Sequence, residues 1–226
     1  MSLEKLPDNI FLFVHIPKTG GTSFRTEIES KLKCVFEYGK NPKTSDLIRQ
    51  TLEKRGIGES FSGKFLLSRI LKQFYGHFPI SKYLPYLGKD SKVVTFLRDP
   101  IQRTMSTYRH FCRHYGYQGS LLNFISNPAF SNEQFKKVDG LDLRKFFFVG
   151  ITEKYNESIQ LFNQMTGLEI QNIRVNVNSD KDLKSKYEIE EEHIQILEKI
   201  NQRDIELYRQ AKDMLDSRLQ DLEIFE

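Results

Sequence analysis

From Lys18 to Ser23 the chain reads Lys-Thr-Gly-Gly-Thr-Ser: one ammonium, two glycines and three hydroxyls in six consecutive positions. Such a run is suited to holding an anion. Gly20 and Gly21 allow positive φ and let backbone N–H groups approach a ligand closely. A helix beginning at this point adds unpaired N–H groups and the positive end of its dipole. Lys18 adds a mobile full charge, and Thr19, Thr22 and Ser23 add hydroxyl donors. The ligand class this predicts is a phosphate or a sulfate. The plainer alternative is a tight turn with incidental polar residues. The run is not a Walker A loop, GxxxxGK[ST], because its lysine precedes the glycines and no later lysine replaces it.

A second anion receptor is predicted at Arg98 and Ser106. Arg98 follows the β-rich run Val93–Leu97, and ligands of open parallel sheets bind outside the carboxyl ends of strands. Lys18 and Arg98 are therefore expected at the same edge. With a helix starting at Pro100, the residues Arg103, Ser106 and His110 share one face. An arginine fork beside a serine hydroxyl suits a second phosphate. The alternative is that Arg98 pairs with Asp99 or a helix end and that Ser106 packs on the sheet.

The elements that must position these residues follow from apolar periodicity. Asn9 to Ile16 is nearly all apolar, as in a strand buried on both faces of a parallel sheet. A helix is predicted over Thr22–Leu32, with Phe24, Ile28 and Leu32 facing the sheet. Val35–Tyr38 reads as a short strand, Ser45–Arg55 and Phe65–Phe74 as helices, and Tyr75–Pro79 as a short extended piece or turn. Val93–Leu97 is the second strong strand. Asp99 as N-cap and Pro100 at the first helical position start a helix running to about His114. Leu121–Ile125 is a short helix, and Asn127–Asp139 reads as a polar, mobile stretch. Phe146–Gly150 is a third buried strand, Glu153–Gln164 a helix with Ile159 and Phe162 inward, and Ile173–Val177 a last strand. From Ile189 the chain reads as helical, with a break near Asn201.

Strands alternating with helices imply an α/β layer structure around a central parallel sheet. The 226 residues suit a single domain, with residues 1–9 as a tail and 189–226 as a C-terminal helical segment of the same domain.

Composition narrows the function classes. A net charge of +4 suits an anionic ligand, and the Lys and Arg residues are too dispersed for a nucleic-acid footprint. With 28% charged residues and no long apolar run, no membrane span is expected in this chain. The early apolar run lacks the basic flank and cleavage site of a signal peptide. Cys34 and Cys112 form no CxxC pair and no ligand spacing with histidine, so reduced thiols in a cytoplasmic protein are expected, with no metal. An anchor upstream of Met1 would change that localisation. Oligomeric state is not legible.

Two segments carry a family resemblance. His15-Ile-Pro-Lys-Thr-Gly-Gly-Thr-Ser-Phe24 resembles the 5′-phosphosulfate loop of sulfotransferases that use 3′-phosphoadenosine 5′-phosphosulfate (PAPS). Phe96-Leu-Arg-Asp-Pro-Ile-Gln-Arg-Thr-Met-Ser-Thr-Tyr-Arg-His-Phe111 resembles their 3′-phosphate motif. The likeness is strongest to the carbohydrate enzymes of heparan sulfate 2-O- and 6-O-type and their bacterial relatives. Val149–Glu153 is a weaker third match. The resemblance covers residues 10–32 and 92–112 well, 145–165 thinly and the rest poorly. It implies the P-loop-like three-layer α/β fold of sulfotransferases, a central parallel sheet flanked by helices. It implies that Lys18 contacts the transferring group and the leaving oxygen. It implies that Thr19, Gly20, Gly21, Thr22 and Ser23 cradle the 5′-phosphate, and that Arg98 and Ser106 hold the 3′-phosphate. The donor would be PAPS, with no metal required, and the acceptor a hydroxyl, of which a glycan hydroxyl is the leading candidate.

Activating a hydroxyl calls for a base that is unprotonated near neutrality. Of the five histidines, His15 lies inside the first strand and is expected to orient the loop, and His193 sits among glutamates on a helix surface. His114 is at the far end of its helix, whereas His110 shares a face with Ser106. His77 is the expected base. It follows Gly76, and Tyr75-Gly76-His77 resembles the segment carrying the base histidine of the 2-O-sulfotransferases. The alternative is a structural histidine bonded to a carbonyl. A P-loop kinase or NTPase is the second functional reading, and a non-catalytic binding protein on a sulfotransferase scaffold the third. Residues 40–75 and 113–140 are expected to line an acceptor cleft.

Overall fold

The computed structural model describes residues 10–46, 48–49, 73–88, 90–172 and 187–223. Among them are five strands: β1 (Phe11–Val14), β2 (Val35–Glu37), β3 (Gln73–Gly76), β4 (Lys92–Leu97) and β5 (Phe148–Ile151). They form one sheet in the order β2-β3-β1-β4-β5. β1 runs parallel to both β3 and β4, and β2 parallel to β3. The helices are α1 (Gly21–Lys31), α2 (Pro100–Tyr115), α3 (Leu121–Ile125), α4 (Glu133–Val138), α5 (Tyr155–Thr166), α6 (Glu191–Ile200) and α7 (Gln202–Glu223). This is the expected α/β architecture with a central parallel sheet. No helix among the described residues is long and apolar enough to cross a membrane.

By its internal contacts the chain forms two compact units. Among the described residues, the first takes those within 10–15, 25–95 and 137–149, the second those within 16–24, 96–136, 150–172 and 187–223. In the first unit, the apolar strands supply a core of Leu12, Phe13, Val14, Phe74 and Tyr75. Phe74, Phe78 and Tyr83 pack as a triad, with ring centroids 4.7–4.8 Å apart. The close approach of β2 to β3 explains Gly76, because a Cβ there would collide with the Glu37 carbonyl. Glu37 itself is buried, and its carboxylate is satisfied by Lys82 and the Tyr83 hydroxyl.

In the second unit, α2 starts as its sequence dictates. The Asp99 carboxylate accepts the Gln102 N–H at 2.9 Å, Pro100 occupies the first turn, and Gly116 closes the helix at φ 64°. Phe24 packs on Phe96 and Phe162, with centroids 4.9 and 5.2 Å away. Ile159 and Phe162 point inward as their spacing predicts. The break between α6 and α7 falls at Asn201, which is buried and donates to the Leu197 carbonyl.

Two expectations are corrected. The stretch assigned to a helix over Phe65–Phe74 ends in strand β3, whose Phe74 pairs in register with Leu12. Pairing with β1 overrides the local pattern, and residues 65–72 lie outside the described residues. Asn127–Asp139 is not a loose loop. It holds a 3₁₀ turn, Pro128–Phe130, and helix α4. The Asp204 carboxylate caps α4 by accepting the Gln134 and Phe135 N–H groups at 3.2 and 2.7 Å. A cap supplied by a residue some seventy positions away has no local signal. The helix over Ser45–Arg55 is seen in its first turn only, because residues 47 and 50–55 lie outside the described residues, as does the strand Ile173–Val177.

Candidate functional site

In the second unit, the chain leaves β1 into the anion loop and enters α1 at Gly21. Lys18 and Gly20 both adopt left-handed backbone, with φ 71° and 79°. Glycine takes this conformation freely, whereas lysine pays about 1–2 kcal/mol for it. Thr19 between them is buried, and its hydroxyl donates to the Ile16 carbonyl at 2.9 Å. That proton is committed to holding the loop, which leaves the Thr19 backbone N–H, not its hydroxyl proton, as the group it could offer an anion. Burial weakens the hold of Lys18 on its proton, and the neighbouring Arg113 and Arg98 charges act in the same direction. A lysine in this environment gains from an anion that offsets the surrounding positive charge.

Arg98 meets this loop directly. Its Nη1 donates to the Lys18 carbonyl at 3.2 Å. Its backbone is clamped by the Gln134 amide, which accepts from the Arg98 N–H at 2.9 Å and donates to the Arg98 carbonyl at 2.8 Å. The Glu153 carboxylate lies 3.8 Å from Arg98 Nε, accepts the Asp99 N–H at 3.2 Å, and accepts the Tyr208 hydroxyl at 3.0 Å. Burial raises the pKa of Glu153 above the usual carboxylate value, against the opposing pull of its hydrogen bonds and Arg98. Thr152 ties the two motifs together, its hydroxyl lying 2.8 Å from the Thr19 carbonyl and 3.0 Å from the Leu97 carbonyl. Ser106 is buried on α2. Arg103, expected on the face of Ser106, is instead buried and donates to the Phe130 carbonyl and the Thr104 hydroxyl, both at 3.1 Å. It is a structural arginine. His110 keeps a lowered pKa through burial, then through Lys18 and two other cations or imidazoles of its helix.

The expected base lies in the first unit. β1 and β3 pair with Val14 opposite Gly76, so the next residues, His15 and His77, leave the same sheet edge side by side. Their rings touch: His77 Nε2 lies 3.1 Å from His15 Nδ1, with centroids 4.5 Å apart. Tyr38 stands edge-on to His77 at 4.6 Å. His77 is exposed at the sheet edge, with its ring packed beside His15 and Tyr38. Desolvation pulls its pKa down to about 4, helped by the charges of Lys137, Arg25 and Lys43. His15 is held well below the ordinary value by burial, then by His77 and Arg25. Both imidazoles are thus neutral at pH 7. Lys137 Nζ donates to the His77 carbonyl at 3.0 Å.

Sequence reasoning placed Lys18 and Arg98 correctly together. It missed the roles of Thr152, Glu153 and Tyr208 and the pairing of His15 with His77. Thr152 and Glu153 directly follow an apolar strand run, the same signal that singled out Arg98.

No protein-family model and no curated protein matches this sequence. Among solved structures, a sulfotransferase from Alicyclobacillus acidocaldarius superposes with a TM-score of 0.50 at 14% identity, over 96% of this chain and 95% of that one. The chain has the sulfotransferase fold. Mouse sulfotransferase SULT7A1 complexed with PAP is similar at a TM-score of 0.47 and 10% identity, over 75% of this chain and 62% of that one. A retinol dehydratase in complex with retinol and PAP follows at 0.31 and 15%, over 70% and 52%. On this fold the anion loop, Arg98 and Ser106 all belong to the second unit, and His15 and His77 to the first.

Proposed function

We propose that this chain is a sulfotransferase that moves a sulfuryl group from PAPS to a hydroxyl acceptor, most suitably a saccharide hydroxyl. The observation that carries this reading is the hydrogen bond from Arg98 to the Lys18 carbonyl. It joins the two sequence motifs into one cationic site. A donor with anionic groups at both ends suits such a site, with the loop from Lys18 to Ser23 taking the 5′-phosphosulfate and Arg98 with Ser106 taking the 3′-phosphate.

When bound, PAPS supplies a sulfuryl group whose transfer leaves negative charge on a phosphate oxygen. The residues of this chain then act by position and charge. Lys18, surrounded by positive charge, stabilises the developing negative charge. The Gly20 turn and the N-terminus of α1 hold the 5′ end through backbone donors. Thr152 and Glu153 hold the loop and Arg98 in place. His77, neutral at pH 7, takes the proton from the acceptor hydroxyl.

The test is calorimetric titration with adenosine 3′,5′-bisphosphate, followed by transfer from radiolabelled PAPS to glycans, lipids and small alcohols. Saturable binding and label transfer are expected. Absence of bisphosphate binding, or Mg²⁺-dependent ATP consumption in its place, would sink the reading.

A further inference from the structure

The contact between His15 and His77 carries information about which atom does the chemistry. A contact of 3.1 Å between two ring nitrogens is a hydrogen bond with one proton between them. Two arrangements satisfy it. In one, His77 Nε2–H donates to His15 Nδ1, and the lone pair on His77 Nδ1 is free. In the other, His15 Nδ1–H donates to His77 Nε2, and His77 Nδ1 carries its proton. Only the first leaves His77 able to accept a proton without breaking the pair.

A neutral imidazole intrinsically favours its proton on Nε2. If both rings adopt that favoured form, His15 Nδ1 is an acceptor and His77 Nε2 must be the donor, which is the first arrangement. The second requires both rings in the disfavoured form. The setting disfavours a proton on both nitrogens of His15, so the favoured form with its proton on Nε2 leaves Nδ1 as the acceptor. His15 is half-buried, and the charged groups facing the pair are the cations Arg25, Lys43 and Lys137, which oppose a further positive charge. The sheet keeps the geometry, because the His15 N–H donates to the Gly76 carbonyl at 2.8 Å and the His77 N–H to the Glu37 carbonyl at 2.9 Å.

We propose that His15 is a positioning residue that holds His77 as its Nε2–H tautomer, so that Nδ1 of His77 is the atom that receives the acceptor proton. The proposal rests on the sulfotransferase reading. The step balances as follows. The acceptor oxygen bonds to sulfur, its proton passes to His77 Nδ1, and the sulfur–oxygen bond to the leaving phosphate breaks with the electron pair staying on that phosphate. His77 is then an imidazolium whose Nε2–H donates a charge-assisted bond to His15, so the same contact stabilises the charge that forms.

Nitrogen-15 NMR of the full-length chain, labelled in histidine, reads the tautomer without any ligand. At neutral pH the His77 resonances are expected to show a protonated Nε2 and an unprotonated Nδ1. A protonated Nδ1 overturns the proposal. His15→Phe removes the acceptor, whereas His15→Asn places an amide oxygen near the position of Nδ1. In His15→Phe the His77 resonances should relax to an average of the two tautomers weighted toward Nε2–H, whereas in His15→Asn they should stay at the Nε2–H limit. In transfer assays kcat of His15→Phe should fall at least about tenfold, with KM for PAPS unchanged and with recovery in His15→Asn. An unchanged tautomer in His15→Phe overturns the inference even if transfer is measured. If His77→Ala transfers at the wild-type rate, the assignment of His77 as base falls instead, independently of the tautomer result.

Discussion

The guanidinium of Arg98 donates to the backbone carbonyl of Lys18 across eighty positions of sequence, at 3.2 Å. One side chain therefore has two tasks on the proposed reading. It shapes the loop that meets one end of the donor and offers charge to the other end.

Arg98→Ala should separate these tasks. Hydrogen bonds to charged groups are worth about 1.5–3 kcal/mol, so affinity for adenosine 3′,5′-bisphosphate should fall by about 10- to 100-fold. Affinity for adenosine 5′-monophosphate should fall much less. Calorimetry with both nucleotides is the measurement. Equal losses would restrict Arg98 to supporting the loop.

Lys18 occupies left-handed backbone at φ 71°. Glycine tolerates this conformation and alanine does not, so Lys18→Gly should be more stable than Lys18→Ala by about 1 kcal/mol in chemical denaturation. Both variants should lose at least about a hundredfold in turnover, because neither carries the charge that offsets the leaving group. Equal stability of the two would show that the loop relaxes elsewhere. Turnover near wild type in either would remove Lys18 from the chemistry.

Acid should destabilise the protein through the histidine pair. The His77 pKa is about 4 in the folded chain against 6.5 for the free side chain. Between those values the unfolded chain binds more protons, so stability present above about pH 6.5 is lost as pH falls toward 4. His15 is shifted in the same direction and adds to the slope. Thermal unfolding followed from pH 7 to pH 4 should show a shallower decline in His77→Asn than in wild type. Parallel declines would show that the acid sensitivity arises from other groups.

Much of the architecture is legible from apolar runs. β1, β4 and β5 are short, buried on both faces and rich in Phe, Val and Leu, a pattern that survives any detail of tertiary context. The start of α2 is equally local, because Asp99 and Pro100 act on the turn they begin. β3 was obscured because Gln73–Gly76 is only four residues long and follows a stretch with helical spacing. Its strand character comes from bonding to β1 and β2. Helix α4 was obscured for a similar reason, since Asp204 supplies its cap from another helix.

The candidate site divides along the same line. Lys18, the two glycines and Arg98 declare themselves because their chemistry depends on residue type and on position at a strand end, both written in the linear chain. Arg103 carries the same guanidinium as Arg98, yet packing buries it against Phe130 and removes it from any ligand. His15 and His77 are sixty-two positions apart, and nothing local to either announces the other. Their hydrogen bond exists because β1 and β3 pair with Val14 opposite Gly76, and a shift of register by one residue would separate the rings. Burial and neighbouring cations then set their protonation, and both are properties of the folded environment. The residue types thus declare which chemistry is within reach, while register and burial select the groups that can perform it.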